Sequence, residues 1–182
     1  MKNWFRFFSF FRKKKAIILV DWENMFINLG GRKEFTVDAV IQAFLKLKEQ
    51  ISQLINGEVI GIYIFASSHS AFLSVWEKTF YKLNFPVISC PKISDGMRDK
   101  NDTVDETLMR EGSIFIRNMG LTHLCVATGD ADFIPLYEEA HALGLKTLTI
   151  YASLDSLASE LIGKTDKPPI KFPSIKFPLT AD

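Results

Sequence analysis

The sequence predicts an α/β fold on a mainly parallel, doubly wound sheet. Three observations predict it: short apolar runs of strand length, amphipathic helical repeats between them, and acids at the ends of the runs. Residues 16–21 (AIILVD) open the series as an unbroken apolar run ending on an acid, the pattern of a strand buried on both faces. Residues 59–66 (VIGIYIFA), 121–127 (LTHLCVA) and 146–151 (KTLTIY) resemble it, and residues 85–89 supply a weaker strand after a proline-containing turn. Thr36 is placed to cap a helix running to about residue 55, in which Val37, Val40, Ile41, Phe44, Leu47, Ile51, Leu54 and Ile55 recur at three- and four-residue spacing. Further helices are expected near residues 71–83, 102–118, 133–143 and 154–162. Strands alternating with helices in this way make right-handed crossovers. In such sheets ligands lie outside the carboxyl ends of the strands, where the winding reverses.

With 182 residues, 47% of them apolar, the chain has the material for one ordinary domain with a substantial core. Its net charge of +1 hides a division. Residues 1–15 carry six Lys or Arg and no acid, and residues 164–182 carry four Lys against two Asp, which leaves 12 basic and 19 acidic side chains, a net −7, in residues 16–163. The expected organisation is a basic aromatic extension (1–15), the folded domain (16–163) and a Pro/Lys-rich tail (164–182). Cys90 and Cys125 lack CxxC spacing and read as buried apolar residues, not as a zinc site or a disulfide. No apolar run reaches the ~18 residues of a membrane span. Residues 5–11 are interrupted by Arg6 and run into Arg12-Lys13-Lys14-Lys15, unlike a secretory signal, so a cytoplasmic location is expected, with peripheral contact to a membrane as an extension of it.

The chemistry concentrates in acids. Asp21 ends the first strand in LVDWEN, with Asn24 three residues on; Asp130 and Asp132 follow another core strand in VATGDADF, where Gly129 permits a tight turn and Asp132 is placed to cap the next helix. A third group, Asp102, Asp105 and Glu106, shares one face at the start of the middle helix, with Glu111 about a third of a turn off that face. Each piece alone is an ordinary cap, turn former or macrodipole partner. Two acidic strand ends and an acidic helix start at one sheet edge are a different matter, because like charges at ~4 Å cost roughly 4 kcal/mol per pair at an effective dielectric of about 20. A divalent cation resolves that repulsion, and with only hard oxygen donors nearby it would be Mg2+ or Mn2+, not Zn2+. Asp21, Asp105, Asp130 and Asp132 are the expected ligands, with Asp102, Glu106 and Glu111 as weaker ones.

Taken together, LVDWEN, KNDTVDETL and VATGDADFIPLYEEAHALGLKTLTI resemble the NYN domain family, a branch of the PIN-like nuclease superfamily related to LabA-type bacterial proteins, over residues 16–162. The resemblance implies a three-layer α/β/α sandwich and a metal-dependent ribonuclease site of Asp21, Asn24, Asp105, Asp130 and Asp132. Two departures stand out: the family usually has Asp where Glu111 stands, and Ser where Thr128 and Ala131 stand. The activity implied is hydrolysis of RNA phosphodiesters, with Asn24 orienting a water or a phosphate oxygen. The alternative is an NYN-like module that binds RNA or protein with little catalysis. A haloacid dehalogenase-type phosphatase would want a second Asp two residues beyond Asp21 and finds Glu23 there, without a matching Lys motif, and a dinucleotide-binding domain would want a glycine-rich turn after the first strand.

An acidic pocket repels phosphate, so cations must hold the substrate. Arg98 and Lys100 in the loop 94–101, and Arg32 and Lys33 in a glycine-rich loop, are the candidate backbone grips; Trp22 is a candidate base-stacking ring, and Thr128 a further substrate contact. His69 reads as a turn residue near the cleft, and His123 and His141 as structural. Residues 1–15 join Trp4, Phe5, Phe7, Phe8, Phe10 and Phe11 to six cations, a mixture suited to a membrane interface, to nucleic acid, or to docking on the domain. The tail repeats IKFP at residues 170–173 and 175–178 and reads as a flexible or partner-binding extension, proline forbidding helix. The partners expected are therefore RNA, single-stranded or structured, a membrane surface met through residues 1–15, and a second copy of the chain in a homodimer.

Overall fold

The computed structural model describes residues 13–29, 36–68, 73–93 and 101–175, with backbone alone at 73–75, 92, 93, 101 and 102. Its strands are β1 (Lys14–Asp21), β2 (Gly57–Ser67), β3 (Val87–Cys90), the two-residue pair β4 (Lys92–Ile93) and β5 (Asn101–Asp102), β6 (His123–Ala127), β7 (Lys146–Tyr151) and β8 (Ile170–Lys171). Its helices are α1 (Trp22–Asn28), α2 (Val37–Ile55), α3 (Leu73–Lys82), α4 (Val104–Asn118) and α5 (Ile134–Ala142). Six strands form one all-parallel sheet in the order β3-β2-β1-β6-β7-β8, with β4 and β5 as a separate antiparallel pair. The α/β class and the doubly wound sheet expected from the sequence are what the chain adopts.

β1 is central because its residues can be buried on both faces: Ala16 through Val20 are all fully buried. Their side chains alternate between two cores. Ile18 and Val20 join Phe44, Leu47 and Ile51 of α2 and Trp76 and Phe80 of α3. Ile17 and Leu19 join Leu108 and Ile116 of α4 and Leu136, Tyr137 and Ala140 of α5. The three layers follow from this alternation. The winding reverses between β1 and β6, which pair from Ala16↔His123 to Val20↔Ala127, so Asp21 and Thr128 emerge side by side at the carboxyl edge.

Two expectations are corrected. Residues 154–162, expected to be helical, form two 3-10 turns, Leu154–Ser156 and Ser159–Leu161. Ser153 and Ser156 close a reciprocal capping box over one turn, and the Ala158 amide donates to Gly129 O at 2.8 Å, which draws the backbone out of helical register. The segment from residue 164, expected to be a flexible or partner-binding extension, packs on the domain as far as it is described. Asp166 seals the amino end of β7 by accepting from Thr147 N at 2.8 Å, β8 pairs with Ile150 and Tyr151, and Phe172 is buried 5.2 Å from the Phe44 ring. Prolines exclude helix here but not an edge strand of two residues. Cys90 and Cys125 are buried, as read from the sequence, and burial pushes the Cys125 thiol up to about 12.

Candidate active site

Asp21 closes β1 and caps α1, its Oδ1 accepting from Asn24 N at 3.2 Å. It continues the odd-numbered series of β1, so its carboxyl group lies on the α4 side of the sheet, only 5% exposed. Burial raises its pKa from 3.8 to about 7, assisted by the negative charges of Asp105 and Glu23 and opposed by the Asn24 amide and the Thr128 hydroxyl. Thr128 is fully buried; its Oγ1 donates to Asp21 Oδ2 at 3.3 Å and accepts from Asp130 N at 3.2 Å. One hydroxyl thereby ties the carboxylate of the first motif to the backbone of the third.

Asn24 makes the second tie. Its Oδ1 accepts from Gly129 N at 3.1 Å, and Asn28 Nδ2 donates to Asn24 O at 2.7 Å, bracing the short α1 helix beneath it. Asn24 thus serves as a positioning residue for the Thr128-Gly129-Asp130 turn, a more specific role than the water or phosphate contact expected of it. Asn24→Ala is expected to leave the Gly129 amide unsatisfied and to cost about 1–3 kcal/mol, read as a shift in the urea unfolding midpoint; an unchanged midpoint would show that water replaces the bond.

Of the four aspartates expected to converge, three come together. Asp105, in the first turn of α4, and Asp130 and Asp132, in the turn after β6, each offer one carboxylate oxygen within 4.8 Å of the others; Asp105 and Asp130 are half-buried and Asp132 is exposed. Asp21 lies outside this trio and interacts with it through the charge of Asp105. The capping role expected of Asp132 belongs to Asp130, whose Oδ1 accepts from Asp132 N at 3.0 Å, because the turn begins as a 3-10 helix two positions early. The weaker candidates stay apart. Glu106 is exposed, one position and so about 100° around the helix from Asp105, and Glu111 engages Arg110 at 3.2 Å. The side chain of Asp102 lies outside the described residues, as do Arg32, Lys33, His69, Arg98 and Lys100.

Two proposed substrate contacts are corrected. Trp22 is 4% exposed and packs at 5.2 Å on both Phe26 and Phe80, so its ring is core and unavailable to a base; α1 begins directly after Asp21 and turns this position inward. Thr128 is sealed beneath Asp21 and cannot touch substrate. Sequence reasoning missed Glu23, whose Oε1 accepts from Ser67 N at 2.9 Å and so fixes the carboxyl end of β2 against α1. An acid in a first helical turn reads as a macrodipole complement, and nothing in the sequence separates that from a tie across strands.

Comparisons with known proteins agree with this architecture. No curated protein matches the chain. A crystal structure of a protein of unknown function from Vibrio parahaemolyticus superposes with a TM-score of 0.66 at 18% identity, covering 88% of this chain and 94% of that one, which speaks for the fold alone. MurG from Acinetobacter baumannii aligns with a TM-score of 0.39 at 10% identity over 76% of this chain and 35% of its own, too weak a likeness to carry an argument. The family model for the NYN domain matches residues 15–169, the whole span of the sheet up to its last short strand. The chain belongs to the NYN domain family and, through it, to the PIN-like nuclease superfamily.

Proposed function

We propose that the protein is a metal-dependent ribonuclease that hydrolyses RNA phosphodiester bonds at the carboxyl edge of its sheet, with Mg2+ or Mn2+ as cofactor. The observation that carries this reading is the trio Asp105, Asp130 and Asp132, three carboxylate oxygens within 4.8 Å of one another in a fold family of nucleases. The donor set suits such an ion: it is made of hard oxygens, and their spacing of up to 4.8 Å exceeds the ~4.2 Å between opposite ligands of an octahedral ion by an amount that small side-chain rotations would close. The bound ion would supply Lewis acidity, polarising the scissile phosphate and easing deprotonation of the attacking water. The chain's own residues do the rest. Asp105, Asp130 and Asp132 would hold the ion, Asp21 interacts with the trio through the charge of Asp105, and Thr128, Asn24 and Glu23 keep the three strand ends in place. A second reading, an NYN-like module that binds RNA or protein with little catalysis, is favoured by Glu111, which turns to Arg110 at the position where the family usually carries a further Asp.

The test is hydrolysis of a labelled RNA by the full chain with Mn2+, Mg2+ or EDTA. Cleavage is expected with the metals and not with EDTA, and Asp130→Asn is expected to lower it by a factor on the order of 100. Mn2+ is expected to raise the melting temperature of the wild type and not of Asp130→Asn. Absence of both cleavage and Mn2+-dependent stabilisation would sink the ribonuclease and favour the binding module.

A further inference from the structure

The edge of the sheet opposite the acids is basic. β1 begins there at Lys14; Lys15 O accepts from Thr122 N, Lys146 N donates to Thr122 O, and Asp166 N donates to Thr147 O, so Lys14, Lys15, Lys146 and Lys167 are brought to one edge from three distant parts of the chain. All four are exposed, and none has a carboxylate within 4 Å among the described residues. The acids nearby are already engaged: Glu58 with Lys13 at 2.7 Å and Asp166 with His141 at 3.1 Å. The field of the lysines reaches His123, whose pKa is lowered first by burial and then by Lys14 and Lys146, with Asp166 opposing and Lys167 adding less.

We propose that this amino edge docks on an anionic lipid surface, Lys14, Lys15, Lys146 and Lys167 meeting the headgroups while the acidic edge faces solution. Three considerations favour lipid. Directly before β1 the sequence carries Trp4, Phe5, Phe7, Phe8, Phe10 and Phe11 among Lys2, Arg6 and Arg12, the amphipathic composition that partitions into a bilayer interface, and it joins the fold at this very edge. The eight residues of β1 separate the two edges by about 23 Å, so RNA held by these lysines would lie far from Asp105 and Asp130. A domain with cations at one edge and carboxylates at the other is also oriented by a negative surface, which attracts the first and repels the second.

The test is sedimentation of the full chain with vesicles of two parts phosphatidylcholine to one part phosphatidylglycerol, against phosphatidylcholine alone. Binding is expected on the anionic vesicles only and is expected to weaken as salt rises. Lys146→Gln combined with Lys167→Gln should lower the partition coefficient by about thirtyfold, each lysine near an anionic surface being worth roughly fivefold; Lys14→Gln with Lys15→Gln serves if the first pair does not fold. The proposal is overturned if wild type stays in the supernatant with anionic vesicles, if both double variants pellet like wild type, or if they lose affinity for RNA while still pelleting.

Discussion

Gly129→Ala is expected to destabilise the protein by more than about 4 kcal/mol. A Cβ at this position would stand 1.8 Å from the carbonyl oxygen of Ser156 and 2.7 Å from its carbonyl carbon. Neither strand of backbone can yield cheaply: Ala158 N donates to Gly129 O at 2.8 Å, Gly129 N donates to Asn24 at 3.1 Å, and Ser156 sits inside its own capping box. Ordinary overpacking by a methylene costs about 1–3 kcal/mol, and a clash with backbone exceeds it. The control is Gly144→Ala, where φ is +78° but nothing lies within 4 Å, so only the backbone strain of about 1 kcal/mol applies. Urea denaturation of both variants reads the difference; equal midpoints would mean that the 153–158 segment swings aside freely.

In EDTA, the contribution of Asp21 to stability is expected to fall as pH rises from 4 to 7. Unfolded, this carboxyl group ionises near 3.8; folded, burial holds its proton to about 7. The native state therefore binds more protons between those values. Stability is fully present below 3.8 and is lost as pH climbs through about 7. A shift of this size corresponds to about 4 kcal/mol, at 1.36 kcal/mol per pKa unit, in a group that is 5% exposed. Asp21→Asn keeps the shape, needs no ionisation, and is expected to flatten that slope and to melt higher than wild type at pH 8. Thermal melting across pH decides it, and parallel profiles for the two proteins would show that Asp21 is ionised at no cost.

Much of the fold and of the acidic edge is legible in the amino-acid sequence alone. The run AIILVD has the character of a doubly buried strand, and VATGDADF places a second set of acids after another. Parallel sheets present their carboxyl ends together, so Asp21 and Asp130 fall at one edge by topology alone. What stays hidden depends on single backbone choices. α1 is seven residues long, too short for periodicity to reveal, and residues 22–28 read as a loop leave Trp22 free to stack. Whether Asp130 or Asp132 caps the following turn depends on a 3-10 start that propensity does not distinguish. β8 and Phe172 are concealed by prolines, because the side of β7 that they cover is defined only once the sheet exists. Glu23 needs a partner 44 residues away to be recognised.

The hydrogen bonds from Asp21 and α1 to Ser67, Thr128 and Gly129 have a consequence for how the protein is made. The groups they join are separated by 44, 107 and 105 residues, so the pocket is assembled by closing long loops, not by local zipping. During synthesis the ribosome releases β1, β2 and β3 first, as a three-stranded fragment whose β1 flank lies bare until β6 emerges. Until then the nascent chain has Asp21 without Thr128 and Asn24 without Gly129. The unpaired backbone N–H and C=O groups along β1, between the apolar side chains of residues 16–20, invite pairing with a neighbouring chain. Whatever the acidic edge does to its substrate, it can begin only when nearly all of the domain has left the exit tunnel.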